Sequence, residues 1–290
     1  MQKKVLISGS TGQLGSELKS ISSDYNDFEF IYKNRAELDL SDCKKIQEVF
    51  SNNKFDYFIN TAAFTAVDKA ETEKESCFDI NAHSLKTIVK YCNPECRIIH
   101  ISSDYVYNIN PGRPLQEDDI TKPLGIYAQS KLQGEESLLK ERENSIILRT
   151  SWVYSEFGHN FVKTMLRLGE SKDKLSIVSD QIGTPSYARE IAKCIMVIIQ
   201  KIEENEDTHD YGGIYNFSHK GSTNWADFAR EIFRLNKINC EVENTTTAAY
   251  NAPAHRPLWS VMSMLKVEKT FGIKIKDWKD CLQDCLSRLS

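Results

Sequence analysis

Short apolar runs recur along the first half of the chain, and the segments between them space their apolar residues at a helical period. Lys4 to Ser8, Phe28 to Tyr32, Phe55 to Asn60, Arg97 to Ser102 and Ser145 to Arg149 read as strands. Their near-continuous Val, Ile, Leu and Phe content suits strands covered on both faces, as in a parallel sheet. Leu14 to Ile21, Cys43 to Ser51, Glu73 to Cys92 and Tyr127 to Arg142 read as helices; in the second, Ile46, Val49 and Phe50 fall on one side. Strand and helix alternate, which predicts a doubly wound α/β fold.

Two segments break the rhythm. Residues 108–125 contain Pro111, Gly112, Pro114, Pro123 and Gly125 and read as a long loop. Such a loop inside a compact domain is usually functional. After residue 150 the runs are shorter and more polar, which predicts a smaller C-terminal lobe of mixed α/β structure. The acidic stretch Glu203 to Asp210 reads as a solvated loop.

Composition narrows the function classes. The 290 residues are 40% hydrophobic and 27% charged, ordinary for a globular protein. A net charge of -4 gives no electrostatic footprint for nucleic acid or for an anionic membrane surface. Ile191 to Ile199, the longest later apolar stretch, holds Lys193 and is too short to span a bilayer. Met1 to Ser8 is basic then apolar, but its run ends too soon for a signal peptide. The expectation is a cytoplasmic protein with its eight cysteines reduced. Cys92 and Cys96, like Cys281 and Cys285, lack the spacing of a zinc or redox pair, and the six histidines form no cluster. No metal site is expected.

Gly9-x-x-Gly12-x-x-Gly15 follows the first strand and opens the first helix. A pyrophosphate needs close backbone N–H donors and the positive end of a helix dipole. Glycines allow the turn, the phosphate's approach and close helix packing. The fold class is therefore a Rossmann-like doubly wound parallel sheet. Residues 1–150 would form the dinucleotide-binding domain and 151–290 mainly a substrate lobe, with some later segments returning to the first. The second strand ends in Tyr32-Lys33-Asn34-Arg35, without the carboxylate that would bind the ribose diol of NAD. Lys33 and Arg35 could pair with a 2′-phosphate, which favours NADPH. The alternative is that both are solvated loop charges, and NADH stays open.

Tyr127-x-x-x-Lys131 places a phenol and an ammonium on one helix face. A phenol with a pKa of about 10 is a weak acid at neutral pH. A neighbouring ammonium would lower that value and let Tyr127 exchange protons. Lys131 could also bond the nicotinamide ribose. Ser103 ends the fourth strand, at the sheet edge where open α/β folds bind ligands. Its hydroxyl could hold a substrate carbonyl while Tyr127 protonates it.

These residues resemble the extended short-chain dehydrogenase/reductases, and within them the dTDP-4-dehydrorhamnose reductases. The similarity runs through Ile7 to Gly15, Asn60 to Glu71, Asn81-Ala82, Ser102 to Tyr107, Tyr127 to Lys131, Leu148 to Tyr154, Asp180 to Pro185 and His255-Arg256-Pro257. It implies Ser103, Tyr127 and Lys131 as catalytic residues. It implies a cofactor held by Gly9, Gly12, Gln13, Leu14 and Gly15, with Asp39 and Leu40 at the adenine and Ala62, Ala63 and Phe64 by the nicotinamide half. Asp104 and Tyr105 would border the substrate and Trp152 would pack on the sugar. Asp180, Gln181 and Arg256 would help hold a nucleotide diphosphate. The implied reaction reduces the C4 keto group of a dTDP-6-deoxy-4-ketohexose, and the resemblance allows a homodimer. Leu258-Trp259-Ser260 departs from the family's usual Asn-Ser after Arg256-Pro257, and Ala128 replaces its usual Gly.

Alternatives remain open at this point. One is a related nucleotide-sugar reductase or epimerase–reductase. In GDP-fucose synthases a Cys follows the catalytic Ser, whereas here Asp104 does. Another is a non-catalytic dinucleotide-binding subunit like that of methionine adenosyltransferase.

Overall fold

A computed structural model describes residues 2–204 and 211–289. Six parallel strands form the main sheet: β1 (Lys3–Ser8), β2 (Phe28–Lys33), β3 (Tyr57–Asn60), β4 (Arg97–Ser103), β5 (Ile146–Thr150) and β6 (Gly213–Phe217). Their spatial order is β2-β1-β3-β4-β5-β6. The chain reverses its winding between β1 and β3, and the carboxyl ends there open the crevice where such sheets bind ligands.

The strand pattern decides how each face is covered. Val5, Ile7, Ile59, Ile99, Ile146 and Leu148 point to one face and pack on Ile191, Ile195 and Ile199 of the Ala188–Glu204 helix. Leu6, Phe58, Ile98 and Ile147 point to the other and pack on Ile46, Phe50, Leu85, Ile88 and Leu138. Successive strand residues alternate between faces, so continuous apolar runs supply both layers. A separate cluster of Tyr154, Val162, Phe228, Ile232, Trp278 and Leu282 centres the C-terminal lobe. Three segments beyond residue 150, β6, the Ala188–Glu204 helix and the Leu265–Phe271 helix, join the main sheet layer.

Three local expectations are corrected. Glu203 and Glu204 end a helix rather than lying in a loop, and Tyr57 donates to Glu203 Oε1 at 2.6 Å. Residues 205–210 of that acidic stretch lie outside the described residues. Glu73 to Cys92 is not one regular helix. It runs as Lys74–Phe78, a π-turn at Asp79–His83, then Ser84–Tyr91. π-Turns insert one residue and often mark functional sites.

The loop at 108–125 borders neither the main cleft nor the second pocket described below. It acts as a strap. Leu115 is fully buried and pairs its backbone with Val261 and Ser263, and Arg113 pairs with Asp119. Its last residue, Gly125 at φ +83°, turns the chain into the Ile126–Glu141 helix.

That helix is seated by Gly134. A Cβ there would lie 2.2 Å from the Asn81 carbonyl oxygen of the π-turn. Gly134→Ala must push the two helices apart. We expect a loss of about 1–3 kcal/mol, the usual cost of overpacking, read from the urea midpoint.

Candidate active site

The glycine turn, the strand ends and the Ile126–Glu141 helix enclose a cleft of about 620 Å³. Gly9 has φ +64°, and a Cβ on it would sit 2.8 Å from the Ala62 backbone nitrogen. Gly15 lies under the turn: its Cβ would meet the Gly9 carbonyl oxygen at 2.4 Å. The Gln13–Ile21 helix therefore starts directly at the cleft, with the unsatisfied N–H groups of its first turn facing an incoming anion. Four buried polar atoms on cleft-lining residues have no protein partner: Gln13 Oε1, Ser102 Oγ, Asp104 Oδ2 and Thr150 Oγ1. An elongated polar ligand would satisfy them. The donor set and the glycine cradle fit a dinucleotide.

Ser103, Tyr127 and Lys131 line the same cleft. Ser103 ends β4 and lies beside Tyr127. Ser103 Oγ also donates to Asp104 Oδ1 at 3.0 Å and accepts from the Tyr105 backbone at 3.3 Å. The Tyr105 ring meets Tyr127 edge-on at 5.4 Å. Lys131 is fully enclosed, and its Nζ donates to the Ile101 carbonyl at 2.6 Å.

Burial sets the electrostatics. It pushes the Tyr127 phenol up to about 12, against the Ser103 side chain beside it, which lowers it. The expected lowering by Lys131 is absent from this structure, because Nζ is turned toward Ile101 and His100 instead. Burial brings Lys131 down to about 8, opposed by the nearby Glu135 and Cys77. Burial raises Asp104 to about 6, and its Oδ2 has no partner. Among the described residues no group of three or more His, Cys, Asp or Glu could hold a metal ion.

A second pocket of about 380 Å³ adjoins the cleft and shares Tyr105 and Trp152 with it. Trp152 adopts φ +47°, a strained conformation for a bulky residue. Packing holds it there. Its ring stacks on Trp225 at 3.7 Å and occupies the space above Gly183, where a Cβ would come within 2.7 Å. Gln181 accepts from the Trp225 indole at 3.0 Å and donates to Thr247 at 3.0 Å.

The profile of the RmlD substrate binding domain family matches residues 3–290. The chain belongs to this family. A dTDP-4-dehydrorhamnose reductase of Aggregatibacter actinomycetemcomitans is 37% identical over 288 residues, covering 97% of each chain. A crystal structure of a dTDP-4-dehydrorhamnose reductase from Clostridium acetobutylicum superposes with a TM-score of 0.91 at 35% identity, covering 99% of both chains. That of the Bacillus anthracis reductase, in complex with NADP, gives 0.90 at 29% identity, covering 99% of this chain and 100% of that one.

In this RmlD-family chain the cleft gathers most of the residues singled out in the sequence. Gly9, Gly12, Gln13, Leu14, Arg35, Asp39, Leu40, Ala62, Ala63, Asp104, Tyr105 and Trp152 line it beside Ser103, Tyr127 and Lys131. Others stand apart. Gly15 serves helix packing, and Lys33 pairs with Glu37 at 3.6 Å. Phe64 is clamped through its backbone, where N–H donates to Asn81 Oδ1 and C=O accepts from Nδ2. Asp180 accepts from the Thr247 backbone and hydroxyl and supports the lobe. Gln181 and Arg256 line the second pocket, where Asp68 binds Arg256 at 2.8 Å. Burial opposes the Arg256 charge, but the Asp68 bond outweighs it and holds the group charged.

Sequence reasoning overlooked Trp225, Asn81 and His100. Asn81 lay within a matched motif without a role. His100 carried a usable signal, a polar residue inside Ile98-Ile99-His100-Ile101. Trp225 carried none, because only the fold stacks it on Trp152.

Proposed function

We propose that this protein reduces dTDP-4-dehydro-L-rhamnose to dTDP-L-rhamnose with NADPH. The observation that carries this reading is the convergence of Ser103, Tyr127 and Lys131 on the cleft that the glycine turn opens. Bound there, NADPH supplies the hydride that reduces C4. Gly9, Gly12 and the helix N-terminus receive the pyrophosphate. Arg35 lines the cleft beside Asp39, 3.4 Å away, and its guanidinium would pair with a 2′-phosphate, which supports NADPH over NADH. Ser103 orients the keto oxygen, and Tyr127 donates its hydroxyl proton to that oxygen. Lys131, whose Nζ rests on Ile101 and His100 before substrate binds, would supply the positive charge that offsets the one left on Tyr127. Trp152 offers an indole face to the hexose, and Arg256 offers a guanidinium to the diphosphate from the adjoining pocket.

The free state of all eight cysteines supports a reducing, cytoplasmic setting, and no described helix is long and apolar enough to cross a membrane. Sedimentation would test the homodimer that the resemblance allows.

Loss of NADPH absorbance with dTDP-4-keto-L-rhamnose, generated in situ from dTDP-glucose by a dehydratase and an epimerase, tests the reading. Oxidation that needs the epimerase supports it. Oxidation with the dehydratase product alone points to a different 4-keto sugar or a built-in epimerase. NADPH binding without oxidation of either substrate points to a binding subunit. Turnover should also fall as pH rises through about 8, where Lys131 loses its charge.

A further inference from the structure

Behind Lys131 lies a row of buried polar side chains that the steps above do not use. Lys131 Nζ is 3.3 Å from His100 Nε2. His100 Nδ1 is 3.1 Å from the Asn60 amide, and Ser8 Oγ is 2.7 Å from the same amide. All three residues are buried, with at most 1% exposure. They are register partners: Ser8 pairs with Asn60 and Asn60 with His100, so the row crosses β1, β3 and β4. Its far end adjoins Gly9 of the glycine turn. Three polar groups in a dry layer are costly unless each is bonded.

The bonding follows from the donor inventory. An ammonium only donates, so His100 must then present its Nε2 lone pair and carry its hydrogen on Nδ1. Asn60 must turn its amide oxygen toward Nδ1 and its NH2 toward Ser8. With Lys131 as an amine, the order reverses. Nε2–H donates to Nζ, Asn60 Nδ2 donates to Nδ1, and Ser8 Oγ donates to Asn60 Oδ1. The same atom positions serve both orders through an amide flip and a tautomer change.

We propose that His100 is a positioning residue: through the Ser8–Asn60–His100 row it anchors the Lys131 Nζ at the floor of the cleft and bonds it in either protonation state. The inference rests on Tyr127 and Lys131 being catalytic. Burial and the Lys131 charge keep His100 neutral, well below the ordinary histidine range. Lys131 is faced by His100 from β4, by Glu135 from its own helix and by Cys77 from the Lys74–Phe78 helix. Glu135 and Cys77 favour its charge. A hydrogen bond to a charged donor is stronger than one to a neutral donor. Losing the His100 acceptor therefore destabilises the ammonium more than the amine, and Lys131 sheds its proton at lower pH.

The test compares His100→Leu, His100→Gln and the unaltered protein in kcat and KM across pH, with thermal melts to establish folding. His100→Leu should lower kcat roughly tenfold, the worth of one charge-assisted hydrogen bond. It should move the alkaline limb down by about one pH unit and leave the sugar-nucleotide KM unchanged. His100→Gln keeps an acceptor near the Nε2 position and should restore the limb and most of kcat. If His100→Leu does not fold, His100→Asn, whose amide is too short to reach Nζ, should show the same limb shift. A folded His100→Leu with the normal limb overturns the proposal. So does equal loss in Leu and Gln variants with an unmoved limb, which would mean packing alone. Tyr127→Phe separates the two readings. Normal turnover in that variant removes the catalytic reading itself, whereas an inactive Tyr127→Phe beside a normal His100→Leu limb removes only this inference.

Discussion

Tyr127→Phe is expected to lower kcat by about 10²–10⁴-fold, the usual worth of a general acid, with NADPH affinity nearly unchanged. The substitution removes one oxygen and leaves the ring, whose edge contact with Tyr105 at 5.4 Å keeps its place. The glycine turn and the helix N-terminus are untouched, so the cofactor loses no contact to them. What is lost is a proton poised for the oxygen. With its pKa near 12 the phenol stays protonated throughout the neutral range, and it gives up the proton only to a strong base such as the alkoxide formed at C4. Ser103 cannot replace it, because its own hydrogen is shared with Asp104. Steady-state kinetics with the coupled substrate, beside a fluorescence titration with NADPH, would check both halves. Turnover within a few-fold of the unaltered enzyme would mean that another group is the donor.

Arg149→Ala should cost about 3–5 kcal/mol of stability, the range for breaking a buried ion pair by removing one partner. Arg149 in β5 and Glu135 on the Ile126–Glu141 helix are almost fully buried and joined at 2.6 Å, with two further contacts near 3 Å. The guanidinium also lies over the Tyr107 ring at 4.6 Å and donates to the Glu117 carbonyl of the 108–125 strap. Without it, a carboxylate one turn beyond Lys131 is left in a dry layer. Chemical denaturation would show a lower midpoint. The combined Glu135→Met and Arg149→Leu variant should recover most of the loss, because it removes both charges and fills their volume. If the double variant is no more stable than Arg149→Ala, the pair's geometry, rather than charge burial, dominates.

The main sheet was legible because its determinants are local. Each of the first five strands is a short apolar run, and a chain alternating such runs with helical periods has few packings available. β6 escaped notice because Gly213-Ile214-Tyr215-Asn216-Phe217 has no strong period, and only its pairing with β5 defines it. The 108–125 segment misled for the opposite reason. Its length suggested function, but burial of Leu115 and the Arg113–Asp119 pair make it a strap. The π-turn at Asp79–His83 follows from helix packing, since Asn81 must face both the Phe64 backbone and Gly134.

The amino-acid sequence by itself determined the alternating α/β layers, the glycine turn and the helix face shared by Tyr127 and Lys131. Each depends on spacing within a few residues, which backbone geometry converts directly into structure. Only the tertiary structure decided the environment of those groups. Burial of the Tyr127 hydroxyl, the row of polar side chains behind Lys131 and the Trp152–Trp225 stack over Gly183 bring together residues far apart in the chain. Desolvation and close contact act through space, so their effects could not be read from spacing along the chain.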